Sequence, residues 1–231
     1  MRIGGSPPWP DDAPSPSPAP SPDHESRFTV SLSETTSAAP STIRTAETSV
    51  PIVDLLDERW SPRSFDPTAE ISDRQLDALL EAARWAPSAQ NHQPRRFVVA
   101  RRGTETFDTI VGALLSFNAM WAGNASALIV ALAETSTIEG DDRPTAEYDL
   151  GQAVAHLSVQ AHAEGFHTHQ MAGVEWDKLV AAFGLADNLK PVTVTAVGVV
   201  DEADKLIEAL AERETAPRVR LSLDELVLRR D

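Results

Sequence analysis

The sequence predicts an α+β domain: a small central sheet with helices packed on it. Three observations carry this expectation. Apolar residues recur at helical spacing over 72–86 and 148–164, the apolar run 127–133 suits a strand covered on both faces, and strands are few beside helices. A first segment stands apart. Residues 1–40 hold nine of the 17 prolines of this 231-residue chain, and few bulky apolar side chains. Such a stretch buries too little apolar surface to offset its ordering entropy, so 1–47 is expected to be a disordered Pro/Ser-rich tail and 48–231 one domain. The tail has no apolar run of signal-peptide length, and Asp11, Asp12, Asp23, Glu25, Glu34 and Glu47 make it too acidic for a transit peptide. The expectation is a tail of unknown role, or a chain start placed too far upstream.

The elements follow in order. Pro51 to Leu56 reads as a short helical lead-in. Ser72-Asp73-Arg74-Gln75 forms a capping box, and the helix after it sets Leu76, Leu79, Leu80 and Ala83 on one face until Ala86-Pro87 stops it. Residues 88–95 form a loop and 96–100 a strand. Helices are expected at 104–116 and 118–122, followed by the strand at 127–133. Tyr148 to Glu164 is apolar on nearly every side, which marks a central, buried helix. A helix over 175–183 ends at Gly184 as a C-cap, residues 192–200 form a strand, and 204–213 a surface helix.

The net charge of −15 disfavours nucleic acid as a partner, and the absence of cysteine excludes disulfides and thiolate metal sites. No stretch is apolar enough over about 18 residues to span a membrane, so a cytoplasmic protein is expected. His167-Thr168-His169 invites a metal reading. Side chains two apart are expected to point apart on a strand, and no nearby Cys, Asp or Glu completes a recognised spacing, so no metal site is expected. His156 and His162 are expected to be packed and hydrogen-bonded.

Positive charge is concentrated at two places. Arg59-Trp60-Ser61-Pro62-Arg63 carries two arginines and a hydroxyl, and Arg218-Val219-Arg220 repeats the pairing near the other end. Arginine's planar fork of donors matches a phosphate, so two such segments suggest one phosphorylated cofactor held from both sides.

These segments carry a resemblance. The first is similar to the Arg-x-Ser-x-Arg opening of the FMN-dependent nitroreductase family. Residues 83–94, Ala-Arg-Trp-Ala-Pro-Ser-Ala-Gln-Asn-His-Gln-Pro, resemble that family's Ala-Arg-x-Ala-Pro-Ser-x-x-Asn-x-Gln-Pro signature, and 217–227 its closing basic pair. The resemblance implies a nitroreductase-like fold in an intertwined homodimer with FMN at the interface. It assigns Arg59, Trp60, Ser61 and Arg63 to the phosphate and ribityl chain, approached by Arg218 and Arg220 from the C-terminal segment. It has Pro87, Ser88 and Asn91 reach the flavin from the partner subunit. Asn118 would bond the ring or ribityl, and Gln170, Met171, Ala172 and Gly173 would lie along the ring.

The activity implied is transfer of a hydride from NAD(P)H through flavin N5 to a nitroaromatic or quinone-type acceptor, in ping-pong order. The cofactor carries the chemistry, so no catalytic side chain is assigned. A flavin-storage protein, another flavin redox chemistry on the same fold and a cofactor-free interaction module are the alternatives. Three departures from the family pattern stand out: Arg95 follows Pro94 where tryptophan is common, Trp121 replaces a lysine three positions after Asn118, and 134–147 is too short for a helical lid.

Overall fold

The computed structural model describes residues 44–231, and the tail expectation for 1–43 lies outside them. In chain order these residues form α1 (Asp54–Asp57), α2 (Asp73–Arg84), β1 (Arg95–Arg101), α3 (Glu105–Ala113), α4 (Ser116–Ala122), β2 (Ala127–Glu134) and α5 (Ala146–Ala163). Then come β3 (His167–Met171), α6 (Trp176–Phe183), β4 (Leu189–Gly198), α7 (Glu208–Thr215) and α8 (Leu223–Leu226). The four strands make one antiparallel sheet in the order β1-β2-β4-β3.

β2 explains the layering. Its residues alternate between two cores, as the two-residue period of a strand requires. Leu128, Val130 and Leu132 join Phe107, Ile110, Trp121 and Leu179 on one face. Ala127 and Ile129 meet Leu79, Ala83 and Leu157 on the other, and Ala131 and Ala133 meet Leu150 and Val154 of α5. Covered on both sides, the strand has no polar face to show. Pro191 lies in β4, where it cannot donate to the ladder; the β2–β4 register slips there, between Ala131 and Leu132.

Several elements match their sequence signals. α2 begins at the Ser72–Gln75 capping box with both halves formed, and α6 ends at Gly184 in the left-handed conformation (φ 56°). Others differ. β3 carries no strand signal in sequence, because His-Thr-His-Gln-Met has no apolar alternation, yet it pairs with β4 from His167↔Gly198 to Met171↔Val194. Along it Thr168 and Gln170 alternate with His167 and His169, so the two histidines share a face rather than point apart. The helix expected at 204–213 begins only at Glu208, and α8, capped by Ser222, was not expected. α5 is buried along one side only: Gly151, Ala155 and His156 are exposed, so His156 is not a packed residue.

Candidate functional site

A groove of about 490 Å³ runs along α5, between that helix, β4 and the Arg59–Ser61 segment. Its walls are largely apolar, from Leu56, Leu150, Val154, Val159 and Val192, and Arg59 and Ser61 are among its polar lining. Gln170 lines it as well, its Nε2 donating to Ser158 Oγ at 2.7 Å. An apolar slot with a guanidinium and a hydroxyl among its walls suits a flat ring bearing an anionic arm.

The positive charge there is shared. Arg59 is half-buried, with Nη1 3.5 Å from Ser61 Oγ, and burial and then Arg220 lower its pKa. Burial lowers that of Arg218 too, and Arg59, Arg220 and Arg44 push in the same direction against the single carboxylate of Asp57. Four guanidiniums therefore repel one another around one place, and a bound anion would relieve that repulsion. Arg218 also braces the site. It donates to the Arg59 carbonyl at 2.9 Å and to the carbonyls of Asp57 and Arg44. Arg220 is exposed, and among the described residues its guanidinium bonds to the Val219 carbonyl alone.

Arg63 is engaged differently. Its guanidinium faces the buried carboxylate of Glu214 at 3.7 Å, and Glu214 Oε1 also accepts the Arg63 and Ser64 backbone N–H groups at 2.6 and 2.9 Å. Trp60 is buried, edge-on to His167. Behind the segment, His169 donates from Nδ1 to the Pro62 carbonyl (2.8 Å), and its ring lies 4.6 Å from that of Trp121. Burial drives His169 down to about 4, helped by Arg63 and opposed by its bonds to the Pro62 and Ser61 backbone. Burial, then His162 and Arg59, likewise hold His167 near 4. Both imidazoles are neutral at pH 7. Trp121, at the position where a lysine is common, is wholly buried between Phe65 and His169 and so belongs to the core.

Asn118 does not point to the groove; its Nδ2 donates to the Gly173 carbonyl at 3.1 Å. A Cβ on Gly173 would lie 2.8 Å from that nitrogen, so a larger residue there would push the Asn118 amide aside. Met171 buries its side chain, leaving only its backbone for a ligand, and Ala172 is exposed.

Pro87, Ser88 and Asn91 lie elsewhere, on the loop after α2, and none of them lines the groove. Gln90, Asn91 and Gln93 all hold φ between 51° and 55°, a costly region for residues with a side chain. The loop is held in place by Ser88 Oγ, which accepts from the Gln93 N–H (3.0 Å), and by the buried Asp149, which accepts from the Ala89 N–H (3.2 Å). Arg95, where an aromatic residue is common, turns inward and donates to the last carbonyl of α2, that of Arg84, at 2.7 Å. The short 134–147 connection closes on itself through Glu134, which pairs with Arg96 and Arg143.

Sequence reasoning missed Arg44, Asp149, His169 and Glu214 as supports. Each acts through backbone groups distant in sequence, and no local motif signals that.

A family model described as the nitroreductase family matches residues 56–199. The chain belongs to that family. A protein of Mycolicibacterium smegmatis known as the uncharacterized 15.4 kDa protein in the ask 5′ region is 39% identical over 142 residues, covering 57% of this chain and 92% of that one. A Bacillus subtilis (strain 168) protein provisionally named the NAD(P)H nitroreductase YdgI is 24% identical over 185 residues, 63% of this chain and 87% of its own. Among solved structures, one described as an oxidoreductase containing FMN superposes with a TM-score of 0.75 at 35% identity, covering 79% of this chain and 93% of that one.

Proposed function

We propose that this nitroreductase-family chain binds FMN in the groove along α5 and, as a homodimer, oxidises NAD(P)H to reduce an electron-poor acceptor of the nitroaromatic or quinone type. The observation that carries the proposal is the convergence of Arg59, Arg218 and Arg220 beside a groove whose walls are otherwise largely apolar. The FMN in the 35%-identical structure and the NAD(P)H in the Bacillus protein's name support the choice of cofactor and reductant.

Bound flavin supplies hydride acceptance at N5 and return of the electrons to a second substrate. The chain's own residues bind and orient. Arg59 and Ser61 would hold the phosphate, with the charge of Arg220 beside them and Arg218 keeping the 57–59 backbone in place. Trp60, buried, and Arg63, paired with Glu214, would hold the 59–63 segment in place from behind, and Gln170 to Gly173 would border the ring. Asn118 acts on the ring through the Gly173 backbone that it holds. Pro87, Ser88 and Asn91 serve the partner's groove, which fits their preformed loop and its distance from their own. The exposed apolar residues Leu221, Leu223 and Leu226 of the C-terminal segment and Ile52, Val53 and Leu55 near α1 suit a subunit interface.

The test is the absorption spectrum of the purified protein, with the released cofactor identified by chromatography. A yellow protein that releases FMN, is bleached by NAD(P)H without oxygen and recovers colour with a quinone is the expected result. Flavin that NAD(P)H leaves oxidised would mean storage, and a colourless protein that refuses added FMN would overturn the proposal. Arg59→Ala should weaken FMN about 10- to 100-fold, the loss of a charge-assisted hydrogen bond of about 1.5–3 kcal/mol.

A further inference from the structure

We infer that Arg44 is a positioning residue of the phosphate site: a strap from the N-terminal side of the family match that ties the Arg59 segment to the Arg218 segment. The inference rests on the flavin reading above. The match begins at residue 56, so Arg44 lies outside it, on the tail side of the boundary expected at residue 47.

The contacts describe a closed ring of bonds. The Arg44 guanidinium lies over the Trp60 indole, 4.5 Å from its centroid, and donates to the carbonyls of Glu214 and Ala216. In return the Arg44 carbonyl accepts from Arg218, whose remaining bonds go to the carbonyls of Asp57 and Arg59. Two residues on, the Ala46 N–H donates to both the carbonyl and the carboxylate of Asp57, at 3.1 and 2.8 Å. Glu214 closes the ring from the other side through the Arg63 and Ser64 N–H groups. Residues 44–46 thus touch both anion-binding segments.

Arginine is suited to this place. One planar guanidinium stacks on an indole while its edge donates to two carbonyls, which the single ammonium of lysine cannot reproduce. Its charge also adds to those of Arg59, Arg218 and Arg220, so the strap makes the site more positive as it shapes it. The effect should therefore be confined to the phosphate. Riboflavin, which has the same ring and ribityl chain but no phosphate, provides the control.

The experiment titrates FMN and riboflavin separately into the full-length apo protein, following quenching of flavin fluorescence, for wild type, Arg44→Ala and Arg44→Lys. Thermal unfolding of each apo protein is recorded beside it. Arg44→Ala is expected to raise the FMN Kd about tenfold, equivalent to about 1.4 kcal/mol, and Arg44→Lys, which keeps the charge but not the fork, several-fold, with the riboflavin Kd unchanged for both. An unchanged FMN Kd, equal losses for FMN and riboflavin, or full retention by Arg44→Lys would each overturn the strap. Should Arg44→Ala fail to fold, Ala46→Pro removes the neighbouring N–H anchor without touching Arg44. It should raise the FMN Kd several-fold and spare riboflavin, and an unchanged FMN Kd there would count against the strap equally. A wild-type protein that binds neither flavin would instead reject the flavin reading itself.

Discussion

His167 and His169 carry no charge at pH 7, yet they set how this site responds to acid. Folding holds both near 4, whereas in the unfolded chain each titrates near 6.5. The unfolded state therefore binds more protons between those values, and stability rises with pH across that window. The contribution is complete above about 6.5 and is lost progressively as pH falls towards 4. At most it is about 3 kcal/mol for each group. Burial above all makes charging costly, and positive or titratable neighbours add to it: His162 and Arg59 beside His167, Arg63 beside His169. Urea denaturation of the apo protein at pH 7 and pH 4.5 should show a marked loss of stability in acid. In the double variant His167→Gln, His169→Asn that loss should be smaller, and equal losses would sink the assignment. This residue scale is also where the sequence was hardest to read. Arg59, Ser61, Arg218 and Arg220 stood out because their spacing matches a family pattern. Glu214 and Asp149 resembled any other acid in a chain of charge −15, since what distinguishes them is burial against backbone N–H groups far away in sequence.

Elements were legible where local chemistry and tertiary packing agree. The Ser72 capping box, the Gly184 stop and the all-apolar β2 each carry a signal within ten residues, and each formed. β3 had no such signal. It is a short edge strand of polar residues whose pairing with β4 and packing against α5 decide its conformation. α5 misled in the other direction, because its all-round apolar character suggested full burial while one side faces the groove and solvent. The cap of α2 permits a direct test. Ser72 Oγ accepts the Gln75 N–H at 3.3 Å, and Gln75 Oε1 accepts the Ser72 N–H at 3.1 Å. Ser72→Ala should cost about 1 kcal/mol of stability, measured by denaturant unfolding. Because α2 packs on α5 and bears the loop of Pro87, Ser88 and Asn91, a fully folded variant should keep its FMN affinity. A loss well beyond about 2 kcal/mol would mean that the cap supports more than its helix.

For the whole molecule, the two sets of expected flavin residues lie apart within one chain. The groove runs along α5 from Glu147 to Val159, and the Arg59 segment lies by the helix's C-terminal end, where Glu58 faces His162 at 3.8 Å, whereas the Ser88–Asn91 loop is pinned to Asp149 in its first turn. At 1.5 Å per residue, Asp149 and His162 are about 20 Å apart along the helix. A two-fold dimer packed along α5 with its axis perpendicular to the helix would run the two copies antiparallel, bringing each chain's loop towards its partner's arginines. Complementation tests this arrangement directly. A chain carrying Arg59→Ala with Arg218→Ala and a chain carrying Ser88→Ala with Asn91→Ala should each bind FMN poorly as a homodimer. In the mixed dimer one site collects every substitution and the other collects none, so about half of the wild-type FMN content should return with wild-type affinity. Mixed dimers are isolated through two different affinity tags, and their bound flavin is measured against protein. If both sets of residues served the same chain's groove, each site in the mixed dimer would carry one defect and no tight site would reappear. Recovery of a tight half-complement would therefore establish both the dimer and the assignment of the 88–91 loop to the partner's cofactor.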